Sequence, residues 1–281
     1  MNGIYSCIIA VSMYSKIPMP AVEWTEERMR HVMCFFPFVG LAQGGVLGLW
    51  FYLGLDVFAL NPLTAALITA AIPLLVTGGI HMDGFMDTMD AIHSYGEREK
   101  KLEILKDPHL GAFAVISLAV YLLLYLGVVN EYVRYLSGCE GDFRFLLYVM
   151  PGLVFVMERA FSGLSVVTFP SAKKDGLAAG FARTAQKRTD RIVLAVWLVI
   201  CLAVAAALGW RAGGLAGAAV LSLGLGLGQL LVFWWYYRMS LKEFGGITGD
   251  LAGCFLQVCE LAGLAVLAAL LKTGILGGHV I

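Results

Sequence analysis

Charge is scarce in this chain. Only 14% of its residues are Asp, Glu, Lys or Arg, while 59% are hydrophobic and the mean hydropathy is +0.80. An ordinary soluble domain carries about 25% charged residues. Too few polar residues are left to cover a set of soluble amphipathic helices, which argues against a soluble all-α protein. The six cysteines (Cys7, Cys34, Cys139, Cys201, Cys254, Cys259) form no CxxC pair. None has a histidine at zinc-finger spacing, so they read as small buried hydrophobes. Met1-Asn2-Gly3 offers no basic leader and no small-residue cleavage site follows, so no cleavable signal peptide is expected. Linkers and low-complexity runs are also absent, and residues 1–281 read as a single integral membrane domain.

Long apolar runs are abundant. About 20 apolar residues cross a hydrocarbon core as a helix. Seven runs qualify, at about 33–58, 62–80, 111–130, 144–168, 191–209, 213–237 and 251–271, so the expected fold is an all-α polytopic membrane bundle. Residues 3–15 are too short to span and read as an interfacial or re-entrant piece. The seven spans divide the connections into two sets. Fifteen of the twenty Lys and Arg fall in one set (residues 1–31, 81–110, 169–191 and 238–250), four in the other, and Arg159 lies inside a span. The positive-inside rule then places the first set in the cytoplasm and the C-terminus outside. Gly40, Gly44 and Gly48 recur at four-residue spacing, as do Gly213 and Gly217. Small residues at that spacing let helices approach closely in lipid.

Against this apolar background, Gly78-Gly79-Ile80-His81-Met82-Asp83-Gly84-Phe85-Met86-Asp87-Thr88-Met89-Asp90 stands out. The spacing i, i+4, i+7 puts Asp83, Asp87 and Asp90 on one helix face. Like charges so stacked repel unless a cation lies between them. All-oxygen ligands suit Mg²⁺, with Mn²⁺ as a substitute. The interleaved residues are not solvating ones. Gly84 costs about 1 kcal/mol inside a helix, which makes sense if a phosphate approaches the backbone there. His81, two residues from Asp83, points elsewhere on a helix and is left out of the metal set. The loop 81–110 is expected to hold a helical extension of the second span, a turn at 93–96 and a further helix over 97–106, where Glu103 and Asp107 share a face beside Lys106. A second acidic element, Gly245-Gly246-Ile247-Thr248-Gly249-Asp250, opens the last span. It reads either as a phosphate cradle or as an N-cap made by Asp250. Glu158, Arg159 and Glu260 lie at membrane depth, as functional groups or as an ion pair between helices, for example Arg159 with Glu260. Lys173 and Lys174 read as membrane anchors rather than phosphate ligands.

These blocks resemble a known family, cobalamin synthase, also called adenosylcobinamide-GDP ribazoletransferase. GGIHMDGFMDTMDAI at 78–92 is similar to that family's GGxHxDGxxDTxDG motif, EILKDPHLGAFAV at 103–115 to its EIMRDSRxGxxG segment, and GGITGDLAGCFLQVCEL at 245–261 to its GGxTGDxxGxxxExxEx block. SKIPMP at 15–20 and FPFVGLAQGGVLG at 36–48 match further elements in family order. Ala91 replaces the glycine that closes the first block, Lys106 replaces an arginine, and Pro108-His109 replaces a second basic position. Lysine keeps the charge but loses the bidentate fork.

The resemblance implies a transferase of cobalamin biosynthesis in the cell (inner) membrane, with its site facing the cytoplasm. Adenosylcobinamide-GDP and α-ribazole, or α-ribazole 5′-phosphate, would be joined and GMP released. Mg²⁺ would be held by Asp83, Asp87 and Asp90, and Glu103, Asp107 or Asp250 would hold a second ion or take the hydroxyl proton. Lys106, Arg159 and Lys16 would balance phosphate charge, and Gly79 and Gly249 would let substrate approach the backbone. Membrane lipid is the other expected partner, nucleic acid is not, and a homo-oligomer is left open. Two rivals fit less well. A CDP-alcohol lipid transferase would carry DGxxAR, but Asp83-Gly84 is followed by Phe-Met-Asp-Thr. A cation-coupled transporter would show inverted repeats, and the chain has none.

Overall fold

The structure is a computed structural model and describes residues 2–173 and 176–277; Lys174 lies outside them. The described residues are helical throughout, apart from turns and one isolated bridge between Ser171 and Ile247. The order is α1 (Asn2–Tyr14), α2 (Glu26–Met29), α3 (Val32–Phe51, continued by a π turn, Tyr52–Val57), α4 (Pro62–Thr77), α5 (Ile80–His93), α6 (Arg98–Ile104), α7 (Ala112–Ser137), α8 (Gly141–Thr168), α9 (Leu177–Thr184), α10 (Lys187–Met239, followed by a π turn, Ser240–Phe244) and α11 (Gly249–Lys272).

Five helical stretches are long and apolar enough to cross a membrane: Val32–Val57, α7, α8, Lys187–Phe244 and α11. Two departures from the seven expected spans have clear causes. Lys187–Phe244 is not one rod, because Gly213 and Gly214 leave the helical region (Gly214 at φ +62°). The arms fold back: a Cβ on Gly217 would lie 2.2 Å from the Gly209 carbonyl oxygen. Spans 191–209 and 213–237 are thus the two arms of a hairpin. Gly213 forms its corner, whereas Gly217 packs as expected. The second departure is α4. The chain does not run straight on from the second span into the acidic loop; α5 is bent 93° from α4. Gly78 (φ +66°) and Gly79 (φ +78°) make that corner, a conformation that glycine adopts without the Cβ penalty. We read α4 as the spanning arm and α5 as a helix lying across the end of the bundle.

The α3–α8 contact is the most extensive, and it rests on the expected glycines. A Cβ on Gly40 would lie 2.4 Å from the Phe155 carbonyl oxygen, and one on Gly44 2.6 Å from the Gly152 Cα. The short α1 also packs on α3, burying Ile9 and Ala10. The connections sort by end. The Lys16 N–H donates to the Val76 carbonyl (2.7 Å), the Ile247 N–H to Pro170 (2.8 Å), and the Arg98 Nη2 to Leu241 (3.3 Å). At the opposite end the Gly277 N–H donates to Ala212 (2.8 Å), and the Tyr135 hydroxyl to Leu276 (3.2 Å). The basic loops therefore gather on one side of the bundle, as the distribution of Lys and Arg requires.

Candidate active site

Two helices make the acidic end. α5 and α11 cross in backbone contact: a Cβ on Gly84 would stand 2.7 Å from the Asp250 carbonyl oxygen, and one on Gly253 2.9 Å from that of His81. Gly84 therefore exists to admit α11, not a phosphate as its place in the sequence suggests. Gly84→Ala should wedge the two helices apart and destabilise the protein by about 1–3 kcal/mol, the usual cost of overpacking. A thermal melt in detergent checks it, and an unchanged midpoint would refute the contact.

Through this crossing Asp250 joins the aspartates of α5. Asp87 is the centre of the group. Burial, then the charges of Asp83, Asp250 and Asp90, push its carboxyl up to about 6. No Lys, Arg or His lies within ion-pair distance of Asp83, Asp87 or Asp90 among the described residues. Asp90 rests against Gly111 at the start of α7, where a Cβ would collide with both carboxylate oxygens at 2.0 Å. Asp250 is not the cap of α11: Thr248 is, its hydroxyl accepting from the Leu251 N–H at 3.2 Å. The Asp250 carboxylate is thus left for the cluster, accepting from the Thr248 hydroxyl at 3.4 Å.

The donor set, all carboxylate and short of positive charge, fits a hard divalent cation. The oxygens are not drawn into one tight shell. Among the described residues the three-residue group whose ligand atoms lie within 4.8 Å of one another is instead His31, Cys34 and Asp190. Asp83, Asp87, Asp90 and Asp250 are the residues that would hold such a divalent cation. The His31 group is one that histidines at zinc-finger spacing in the sequence do not reveal. The Asp190 Oδ1 stands 2.9 Å from the His31 Nδ1 and accepts from the Cys34 thiol at 3.1 Å, tying the start of α3 to that of α10. Asp190 is remote in sequence, and the His-x-x-Cys pair alone carries little signal.

One lysine, Lys173, flanks the cluster. Lys173 senses the charges of both Asp250 and Lys106, and its pKa is lowered, chiefly by burial. Its position follows from the 169–172 loop, which pairs with 246–247. The anchor reading of Lys173 is therefore incomplete, because only this pairing of distant segments brings it to Asp250. Lys16 is exposed and lays its side chain over Gly78, at the corner that starts α5, where a Cβ would meet the Lys16 Cε at 2.2 Å. Gly79 makes the corner itself. Gly249 is exposed, and a Cβ there would meet nothing within 4 Å, so its backbone stays open to a ligand.

Three candidates lie elsewhere. Arg98 and Lys101, one turn apart, dock α6 on the 240–244 turn, Lys101 pairing with Glu243 at 2.5 Å. Glu103 is thereby turned to solvent, where it pairs with Lys100 at 3.3 Å. α6 ends at Ile104, so Asp107 does not share a helix face with Glu103; it accepts from the His109 N–H at 3.0 Å and is exposed. Arg159 is fully buried. Its Nη1 pairs with the Glu158 Oε1 at 2.5 Å, and its Nη2 donates to the Gln43 Oε1 at 2.6 Å. Gln43 reaches Glu260 at 3.5 Å, and the Tyr125 hydroxyl donates to Glu260 at 2.5 Å. The direct partner of Arg159 is its sequence neighbour, and Glu260 is reached only through Gln43. A buried charge left alone costs several kcal/mol; this network supplies partners from α3, α7, α8 and α11, as a scaffold requires.

The chain is similar to known proteins over most of its length. The family model for CobS, described as Cobalamin-5-phosphate synthase, matches residues 6–268. A protein of Lachnoclostridium phytofermentans named adenosylcobinamide-GDP ribazoletransferase is 46% identical over 270 residues, covering 96% of this chain and 95% of that protein. Proteins of the same name from Clostridium perfringens (strain SM101) and Clostridium botulinum (strain Alaska E43) are 33% and 30% identical over 273 and 265 residues, covering 95% and 94% of this chain and 99% and 96% of theirs. No solved structure matches significantly. With a match running from α1 almost to the end of α11, the chain belongs to the CobS, cobalamin-5-phosphate synthase, family.

Proposed function

We propose that this protein joins α-ribazole, or its 5′-phosphate, to adenosylcobinamide-GDP and releases GMP. The observation that carries this reading is the α5–α11 crossing, which sets Asp250 among Asp83, Asp87 and Asp90, with Lys173 alongside Asp250 and Lys106 near Lys173. An acidic patch flanked by cations is what a pyrophosphate substrate and a divalent cation need together. The relatives' shared name supplies the two substrates.

In this reading a ribose hydroxyl oxygen attacks the phosphorus on the cobinamide side of the pyrophosphate. A new P–O bond forms, the bond to GMP breaks, and the hydroxyl proton leaves. Asp83, Asp87 and Asp90 would hold Mg²⁺, or Mn²⁺ in its place. When bound, the ion neutralises charge that builds on the pyrophosphate oxygens. Lys106 and Lys173 hold the phosphates, with Lys16 at the rim, as charge-assisted donors. Glu103 and Asp107 are engaged at the surface, so Asp250 is the carboxylate we assign to accept the hydroxyl proton. Purified protein in detergent, given adenosylcobinamide-GDP, α-ribazole and Mg²⁺, should release GMP in step with the joined product. Absence of both products would refute the reading.

We further propose that the acidic end faces the cytoplasm, on the fifteen-to-four partition of Lys and Arg. Cysteine-accessibility mapping should find residues 94–110 reachable from the cytoplasm and residue 275 from outside. The opposite pattern would reverse the orientation.

A further inference from the structure

Beside the acidic cluster the protein encloses a cavity of about 200 Å³. Asp83, Gly84, Gly249 and Asp250 form one wall. The others are mostly aromatic and apolar, led by Tyr14, Phe36 and Phe181, with His81 and Ser162 among them. The His81 ring stacks on Tyr14 (centroids 6.0 Å apart) and meets Phe36 at an angle (6.1 Å). His81 is only 4% exposed, and its Nε2 has no hydrogen-bond partner. A buried polar atom left unpaired is costly, and nearly all such atoms in folded proteins have a partner. An aromatic slot beside carboxylates, walled in part by an imidazole whose buried Nε2 lacks a partner, has the features of a binding site for a planar heterocycle.

We propose that this cavity seats the aromatic base of α-ribazole, with the His81 Nε2–H donating to the free ring nitrogen of that base and the ribose lying toward Asp83 and Asp250. The assignment rests on the ribazole reading above. The alternatives fit the walls less well. A corrin ring far exceeds the volume. Guanine brings several donors and acceptors that mostly apolar walls would leave unpaired. A lipid acyl chain would match the walls but leave Nε2 without a partner. A benzimidazole riboside has flat apolar faces and a single unsubstituted ring nitrogen, which matches one orphan donor in an aromatic slot. His81 thereby acts as a binding residue for the acceptor substrate, although its spacing from Asp83 excludes it from the metal set.

The test compares α-ribazole with its indole analogue, in which a C–H replaces the free ring nitrogen, on the intact enzyme in detergent. The wild-type protein should show a KM about tenfold higher for the analogue, the worth of one buried hydrogen bond. His81→Phe should raise the KM for α-ribazole by a similar factor and no longer distinguish the two acceptors. Its KM for adenosylcobinamide-GDP should stay within about twofold. Phe181→Ala, which opens the slot without touching the hydrogen bond, should raise both acceptor KM values and keep their ratio. Equal use of the two acceptors by the wild-type enzyme would overturn the assignment and leave the reaction standing, as would a KM change confined to adenosylcobinamide-GDP. A wild-type protein that releases no GMP from either acceptor would overturn the reaction itself and the assignment with it.

Discussion

Alanine at Asp83, Asp87 or Asp90 is expected to lower steady-state GMP release by about 10²–10³-fold, corresponding to roughly 3–4 kcal/mol of lost transition-state stabilisation. The residues share one face of α5, and Asp87 feels both of the others together with Asp250. Asparagine should be nearly as damaging as alanine, because it keeps the shape and loses the charge. Each variant should remain folded and membrane-inserted, since removing one of several repelling carboxylates relieves strain when no cation is present. The Asp87 carboxyl is raised to about 6. A raised carboxylate contributes stability below its ordinary pKa near 4 and loses it as pH rises through about 6. In chelator at neutral pH, Asp87→Asn should therefore melt higher than the wild-type protein, and the gain should vanish at pH 4. Cys254→Ala and His93→Ala serve as comparisons and should cost less than about tenfold. Near-normal turnover in all three aspartate variants, with Glu158 or Glu260 variants inactive, would move the site into the buried network.

Chelation is expected to abolish turnover, with Mg²⁺ or Mn²⁺ restoring it and Zn²⁺ restoring little. The proposal rests on ligand chemistry: four carboxylates and no thiolate or imidazole pair in the cluster. His31, Cys34 and Asp190 offer zinc a softer set of atoms away from the aspartates, so zinc titrations should be read on the Cys34→Ala background as well. Restoration should be lost in the aspartate variants and retained in the Cys34 variant. Full activity in excess chelator would remove the divalent cation from the mechanism.

Much of the membrane architecture was legible because transfer energetics act locally. About twenty apolar residues cannot remain in water whatever they pack against, so each span announces itself. The hairpin arms appeared as separate spans for that reason, although only the Gly213-Gly214 corner separates them. The Gly40 and Gly44 seam was legible because close approach in lipid needs a missing side chain on one helix alone. The acidic face of α5 followed from helical periodicity, which is also local.

What only the tertiary structure decided depends on two distant segments meeting. Gly84 carries the same letter whether it admits a phosphate or the backbone of α11, and only the crossing distinguishes them. Whether Asp250 caps its own helix or joins the aspartates was decided by Thr248 taking the cap. Lys173 reached the site because the 170–172 and 246–247 segments pair, and Glu103 left it because Arg98 and Lys101 turn α6 the other way. His81 became a candidate binding residue because rings from α1 and α3 enclose it. The sequence by itself determined a polytopic helical membrane protein with three carboxylates on one helix face, since hydropathy and periodicity are properties of single segments. The composition of the site around those carboxylates, and the cavity beside them, were left to the tertiary structure, because a contact between helices is a property of two segments and is written in neither.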